Sequence, residues 1–159
     1  PPAGMRGMSG ASRASRYGTT ANYAKVADAG IGVIVQLETP QALAQIEAIA
    51  AVDGVDAIFV GPADLSANMG YTGQFTHPAV MQAMADAALR CKALDKPVGT
   101  VGATPDIVTQ YRALGYDYLA VSSDLGLLMS GALATVHALR GLSGDKHVHS
   151  LHAGTRTDG

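Results

Sequence analysis

Short runs of β-branched and aliphatic residues alternate along this chain with longer stretches in which apolar residues recur every three or four positions. The first run, IGVIVQLE at 31–38, is bounded by Gly30 and by Thr39-Pro40, and it predicts a buried strand. In PQALAQIEAIAAV, Thr39 is placed to cap, Pro40 suits a first helical position, and Leu43, Ile46, Ile49 and Ala50 recur at helical spacing. A helix is predicted there. The cycle repeats with a strand from Val55 to Val60, the long loop GPADLSANMGYTGQFTHP and a helix from Pro78 to Leu94. A third strand at Pro97 to Val101 leads to a helix near Pro105 to Leu114, and a fourth at Tyr118 to Val121 leads to a helix from Asp124 to Leu139. The first thirty residues read as a Gly/Ser/Arg loop ending in a short helix near Ala21 to Asp28. So long a loop before a core strand implies that something precedes it.

Strands and amphipathic helices in strict alternation predict an α/β fold with a parallel sheet covered by helices. A complete (β/α)8 barrel takes ~250 residues, so about four βα units are what half of one would occupy. An open four-stranded sheet is the rival. Residues 1–142 form the expected partial barrel. Residues 143–159 are polar and aperiodic, the pattern of a disordered tail or surface arm.

Composition narrows the function. Of 159 residues, 48% are apolar and 15% charged, which supports a globular core. Lys and Arg number 11 against 13 Asp and Glu, so no global field draws the chain to nucleic acid or an anionic membrane. A small-molecule partner is expected. No apolar stretch approaches the ~20 residues needed to span a bilayer. A single cysteine, Cys91, fits a reducing cytoplasm, and its helical setting with no histidine beside it points to packing. Pro1 to Gly10 lacks both an initiator methionine and the regions of a signal peptide, so the chain reads as starting within a longer protein.

In parallel α/β folds function gathers at the C-terminal ends of strands. Side chains alternate along a strand, so Ile34, Gln36 and Glu38 share one face, and polarity rises toward its C-terminal end. A carboxylate facing a barrel mouth needs a cation or donors to compensate it, although a solvated strand-end acid is an equal reading of Glu38. Gln36 serves as well to satisfy backbone groups. Asp64, in GPADLS just after the second strand, is placed next to Glu38, with an N-cap role as the competing reading. Two neighbouring carboxylates make a hard oxygen site suited to Mg²⁺ or Mn²⁺. Ser122, Ser123 and Asp124 are expected to supply the cap of the last helix. Arg6, Arg13 and Arg16 suit an anion or a solvated loop, and His147, His149 and His152 lie in the polar tail.

With these residues in view the chain resembles the HpcH/HpaI family of class II pyruvate aldolases. The likeness runs from Pro1-Pro2 and Gly4-Met5-Arg6-Gly7, through Val35-Gln36-Leu37-Glu38-Thr39 and Gly61-Pro62-Ala63-Asp64-Leu65-Ser66, to His77-Pro78 and the last helix near Arg140. It implies the C-terminal half of a TIM barrel of the phosphoenolpyruvate/pyruvate type. It also implies that Glu38 and Asp64 ligate Mg²⁺, Mn²⁺ or Co²⁺, while Gln36 and the backbone of Ala63 and Asp64 hold pyruvate. The implied reaction is reversible aldol cleavage of a 4-hydroxy-2-oxo acid to pyruvate and a small aldehyde, the metal acting as Lewis acid. The family's general-base histidine and its arginine match nothing here and are expected upstream of Pro1. Ser122-Ser123-Asp124 stands where the family usually has Gly-Val-Asp, and Val101 occupies a wall position often held by a larger residue. Homo-oligomers, hexamers in this family, would use the last helix against a neighbouring subunit. Two other readings stand beside this one: a non-catalytic half-barrel that needs a partner, and a citrate-lyase-like acyl-CoA lyase on the same metal site.

Overall fold

A computed structural model describes residues 4, 5 and 7–147 of the chain, the side chains of 142–147 excepted. A leading segment contains a 3-10 turn at Arg13–Ser15, helix α1 (Tyr23–Val26) and a second 3-10 turn at Asp28–Gly30. There follow β1 (Ile34–Leu37), α2 (Pro40–Leu43), α3 (Ile46–Ala50), β2 (Ala57–Val60), α4 (Pro62–Asn68) and α5 (Pro78–Ala93). The chain continues through β3 (Val98–Val101), α6 (Pro105–Ala113), β4 (Tyr118–Ala120) and α7 (Asp124–His147).

The four strands are parallel and lie in chain order, β1-β2-β3-β4. A doubly wound sheet reverses its strand order at a switch point. This sheet does not, so every crossover of the usual right hand lays its helix on the same face. That is the topology of a TIM-type barrel taken over four units. The register pairs Gln36 with Phe59, Phe59 with Gly99, and Gly99 with Tyr118. Leu37, Ile58, Val60, Val98 and Thr100 are buried under the helices, together with Val80, Met84, Ala87, Ala88 and Cys91 of α5. The opposite face is more open at its margins: Ile34 is 56% and Val101 39% exposed. On it Tyr118 lies flat across Gly99 and donates from its hydroxyl to the Ile58 carbonyl at 2.8 Å, spanning β4 to β2.

Several boundaries differ from those expected. The strand predicted over 31–38 is confined to 34–37, because the Val33 N–H is taken by the Asp56 carboxylate at 2.6 Å and 31–33 run exposed. The helix predicted after Thr39 breaks at Ala44-Gln45, where Gln45 leaves the helical region (φ −109°, ψ 18°), leaving α2 and α3. No proline interrupts the last helix, which passes Leu139 and enters the expected polar tail as far as His147. The rest of that tail, with His149 and His152, lies outside the described residues, as does Arg6. The side chains of α7 from Asp124 to Gly141 are exposed, including Leu125, Leu127, Leu128, Met129, Leu133, Val136 and Leu139.

Arg90 ties α5 to the α2–α3 corner. Its Nη1 donates to the Leu43 carbonyl at 2.9 Å, and its Nε to Glu47 Oε1 at 2.8 Å, while Nη2 also engages Glu47 Oε2. The Leu43 carbonyl belongs to the end of α2, where helical acceptors lack partners. The guanidinium holds the Glu47 carboxyl down from 4.5 to about 2. A depressed carboxyl contributes stability above its unfolded pKa and loses it as pH falls through the folded one. Stability from this pair is therefore expected to disappear between pH 4.5 and about 2. Urea midpoints of the chain and of Glu47→Gln should differ near neutrality and converge at the acid end of that window. A constant difference would show that Glu47 acts through packing alone.

Candidate active site

At the C-terminal end of β1, Gln36 and Glu38 project to the same side, as strand alternation requires. Gln36 Nε2 donates to Glu38 Oε1 at 2.5 Å. Both side chains lean over Gly61, the residue after β2. A Cβ on Gly61 would sit 2.7 Å from Glu38 Oε1 and 2.9 Å from Gln36 Nε2. Glycine stands here for space, since its φ of −89° is open to any residue. In the sequence Gly61 and Pro62 suggest only a tight turn, although a glycine ending an apolar run is also a signal of close approach.

The segment read as a loop from Gly61 onward begins with a helix. Pro62 takes the first position of α4, where its missing N–H costs nothing, and Gly61 is the N-cap. Asp64 therefore lies within the first turn, not at the cap position, which removes the N-cap reading. The N–H groups of Ala63 and Asp64 precede any helical acceptor and point out of the helix start. Asn68, the last residue of α4, donates through Nδ2 to the Asp64 carbonyl at 2.9 Å and to the Glu38 carbonyl at 3.2 Å. Glu38 is half-buried, and Gln36, Ala63 and Asp64 are exposed.

Among the described residues no group of three or more His, Cys, Asp and Glu is arranged to hold a metal. A cation at this end of the sheet would rest on the two carboxylates of Glu38 and Asp64, whose hard oxygens suit Mg²⁺ or Mn²⁺ and leave positions open. Beside Ala63 opens a cavity of about 360 Å³ whose walls include Pro62, Phe75, Val101, Thr104 and Ile107. Its lining carries no charged side chain.

Other candidates are used structurally. Thr39 accepts from Ala42 N at 3.0 Å and caps α2, and Ser123 accepts from Gly126 N at 3.0 Å as the cap expected for α7. His77 stacks on Tyr71 with ring centroids 3.6 Å apart, and its Nδ1 accepts from Ala79 N at 3.2 Å. Cys91 is buried, and burial pushes its thiol up to about 11, which keeps it a packing residue. Arg13 and Arg16 lie exposed in the leading segment. No helix among the described residues is long and apolar enough to cross a membrane.

Strands in chain order, each followed by a helix, with carboxylates at the adjacent C-terminal ends of β1 and β2, define a segment of a TIM-type barrel. The chain belongs to the HpcH/HpaI aldolase/citrate lyase family, whose profile matches residues 1–131. It is 47% identical over 141 residues to the 2-dehydro-3,6-dideoxy-6-sulfogluconate aldolase of Pseudomonas putida, covering 89% of this chain and 55% of that protein. It is 46% identical over 134 residues to a hydroxypyruvate/pyruvate aldolase of Sagittula stellata, covering 84% and 53% respectively. In structure it resembles a HpcH/HpaI aldolase/citrate lyase family protein from Burkholderia cenocepacia, with a TM-score of 0.77, 37% identity, and coverage of 87% of this chain and 54% of that one. The chain thus spans about half the length of the relatives it matches.

Proposed function

We propose that this chain carries the metal and pyruvate site of an aldolase that reversibly cleaves 4-hydroxy-2-oxo acids to pyruvate and an aldehyde. The observation that carries this reading is the Glu38 carboxylate, held by Gln36 in the space that Gly61 leaves beside the start of α4. Relatives named as aldolases for pyruvate and sugar-derived oxo acids favour it over an acyl-CoA lyase.

In this reading Glu38 and Asp64 ligate a divalent cation, Mg²⁺, Mn²⁺ or Co²⁺. When bound, such an ion supplies a Lewis acid that draws negative charge toward the 2-oxo oxygen. Gln36 orients Glu38 and turns its amide to the oxo acid. The Ala63 and Asp64 N–H groups receive the pyruvate carboxylate, since helix-start donors with no helical acceptor favour an anion. The apolar cavity beyond Ala63 excludes water from one side of the bound acid and strengthens these contacts. No residue of this chain is assigned the part of general base or of the arginine that steadies developing charge. The exposed apolar side chains of α7 pack against a second copy, giving a homo-oligomer, hexameric by likeness to the family.

Pyruvate binding can be tested apart from turnover. Bound Mn²⁺ relaxes nearby protons, so the pyruvate methyl resonance should broaden with the chain and Mn²⁺ together, and propionate should broaden much less. Gln36→Ala should reduce the effect for pyruvate selectively. Equal broadening of pyruvate and propionate would count against a 2-oxo acid site, and saturable binding of coenzyme A with no pyruvate effect would favour the lyase.

A further inference from the structure

We propose that Asn68 is a positioning residue that sets the spacing of the two candidate ligands Glu38 and Asp64 by holding both of their backbones with one amide; the inference rests on the metal reading above. Asn68 stands one helical turn after Asp64, so its side chain reaches the Asp64 carbonyl from within α4. The same nitrogen also reaches the Glu38 carbonyl, thirty residues back on the neighbouring strand end. An amide nitrogen has two hydrogens, and two carbonyl oxygens in reach use both. The oxygen of the amide is an acceptor and serves neither contact, which fixes which way the group is turned.

The place of this link matters. Between β1 and β2 the backbone bonds reach Gly61 N to the Leu37 carbonyl at 3.0 Å. Pro62 has no N–H, so the residue after Gly61 brings no main-chain donor of its own. Asn68 supplies a bond to the next carbonyl along, that of Glu38. Two carboxylates that share a cation must sit at a set separation, and drift in either backbone changes it. Asparagine is a poor helix former, and its place at the last position of α4 limits that cost.

The variants separate the two bonds. Asn68→Leu keeps the bulk and removes both donors. Asn68→Ser keeps a hydroxyl able to return to the carbonyl four residues back, but it is too short for Glu38. If the cross-strand bond is what counts, both variants should weaken Mn²⁺ binding, read by electron paramagnetic resonance, by about tenfold, the lower end for residues that support a ligand. Asn68→Ser should leave the urea midpoint near that of the parent, which a purely structural role would not predict. Tight binding in the parent, loss in Glu38→Ala and parental affinity in both Asn68 variants would overturn the role of Asn68 and leave the metal reading standing. No saturable Mn²⁺ binding by the parent chain would overturn the metal reading and this inference with it. Weakened binding in Asn68→Leu with parental binding in Asn68→Ser would assign the effect to α4 alone and overturn the cross-strand role.

Discussion

Glu38→Ala is expected to abolish saturable Mn²⁺ binding while leaving the fold intact. Glu38 and Asp64 are the candidate carboxylates at the adjacent ends of β1 and β2, and among the described residues no group of three or more His, Cys, Asp and Glu stands ready to replace either. Loss of a direct ligand should exceed the 10–100-fold typical of a supporting residue, so affinity should fall by more than about 100-fold. Glu38→Gln should fall nearly as far, because it keeps the shape and removes the charge. The half-buried side chain bonds Gln36 and lies outside the apolar core, so the unfolding free energy from urea denaturation should change by no more than about 0.5 kcal/mol. Asp64→Ala should behave alike. Unchanged Mn²⁺ affinity in either alanine variant, with the fold retained, would make that residue a solvated acid and withdraw it from the site.

The largest effect on stability is expected at Gly99. A Cβ there would lie 2.1 Å from Cε2 and 2.3 Å from Cζ of Tyr118, distances that no ring can tolerate. Tyr118 would have to leave the sheet face and give up its 2.8 Å bond to the Ile58 carbonyl and its contact with Phe59. Overpacking together with a lost hydrogen bond should cost about 2–4 kcal/mol in urea denaturation. Tyr118→Ala removes the clash, so Gly99→Ala added to it should cost far less than it does alone. Additive costs in the double variant would mean that Gly99 is needed for a reason other than the ring above it. Gly99 and Tyr118 occupy the same side of the sheet as Gln36 of the proposed site, through the paired positions of β1 to β4.

What the sequence determined by itself was local. Apolar runs placed all four strands, and Thr39-Pro40 marked a helix start that the structure caps in that way, through Ala42 N; Thr104 caps α6 through Ile107 N likewise, a signal the sequence carried in the same Thr-Pro pair. Period-two alternation put Gln36 and Glu38 on one side, because a strand turns each side chain opposite to the last. Local reading stopped where a feature depends on atoms distant in the chain. The helix α4 hid behind a loop-like composition, although Pro62 at its first position was a usable signal. Strand order, which separates a barrel segment from an open wound sheet, is a property of pairing between strands, and no spacing within one strand records it. The need for glycine at Gly61 and Gly99 arises because the sheet brings Glu38 over one and Tyr118 over the other. Asn68 became visible for the same reason: its Asp64 contact follows from helical spacing, but its Glu38 contact requires β1 and α4 to lie side by side. Tertiary structure decided these because a side chain's neighbours across a sheet are set by register and crossover, and the chain's own order carries no direct record of either.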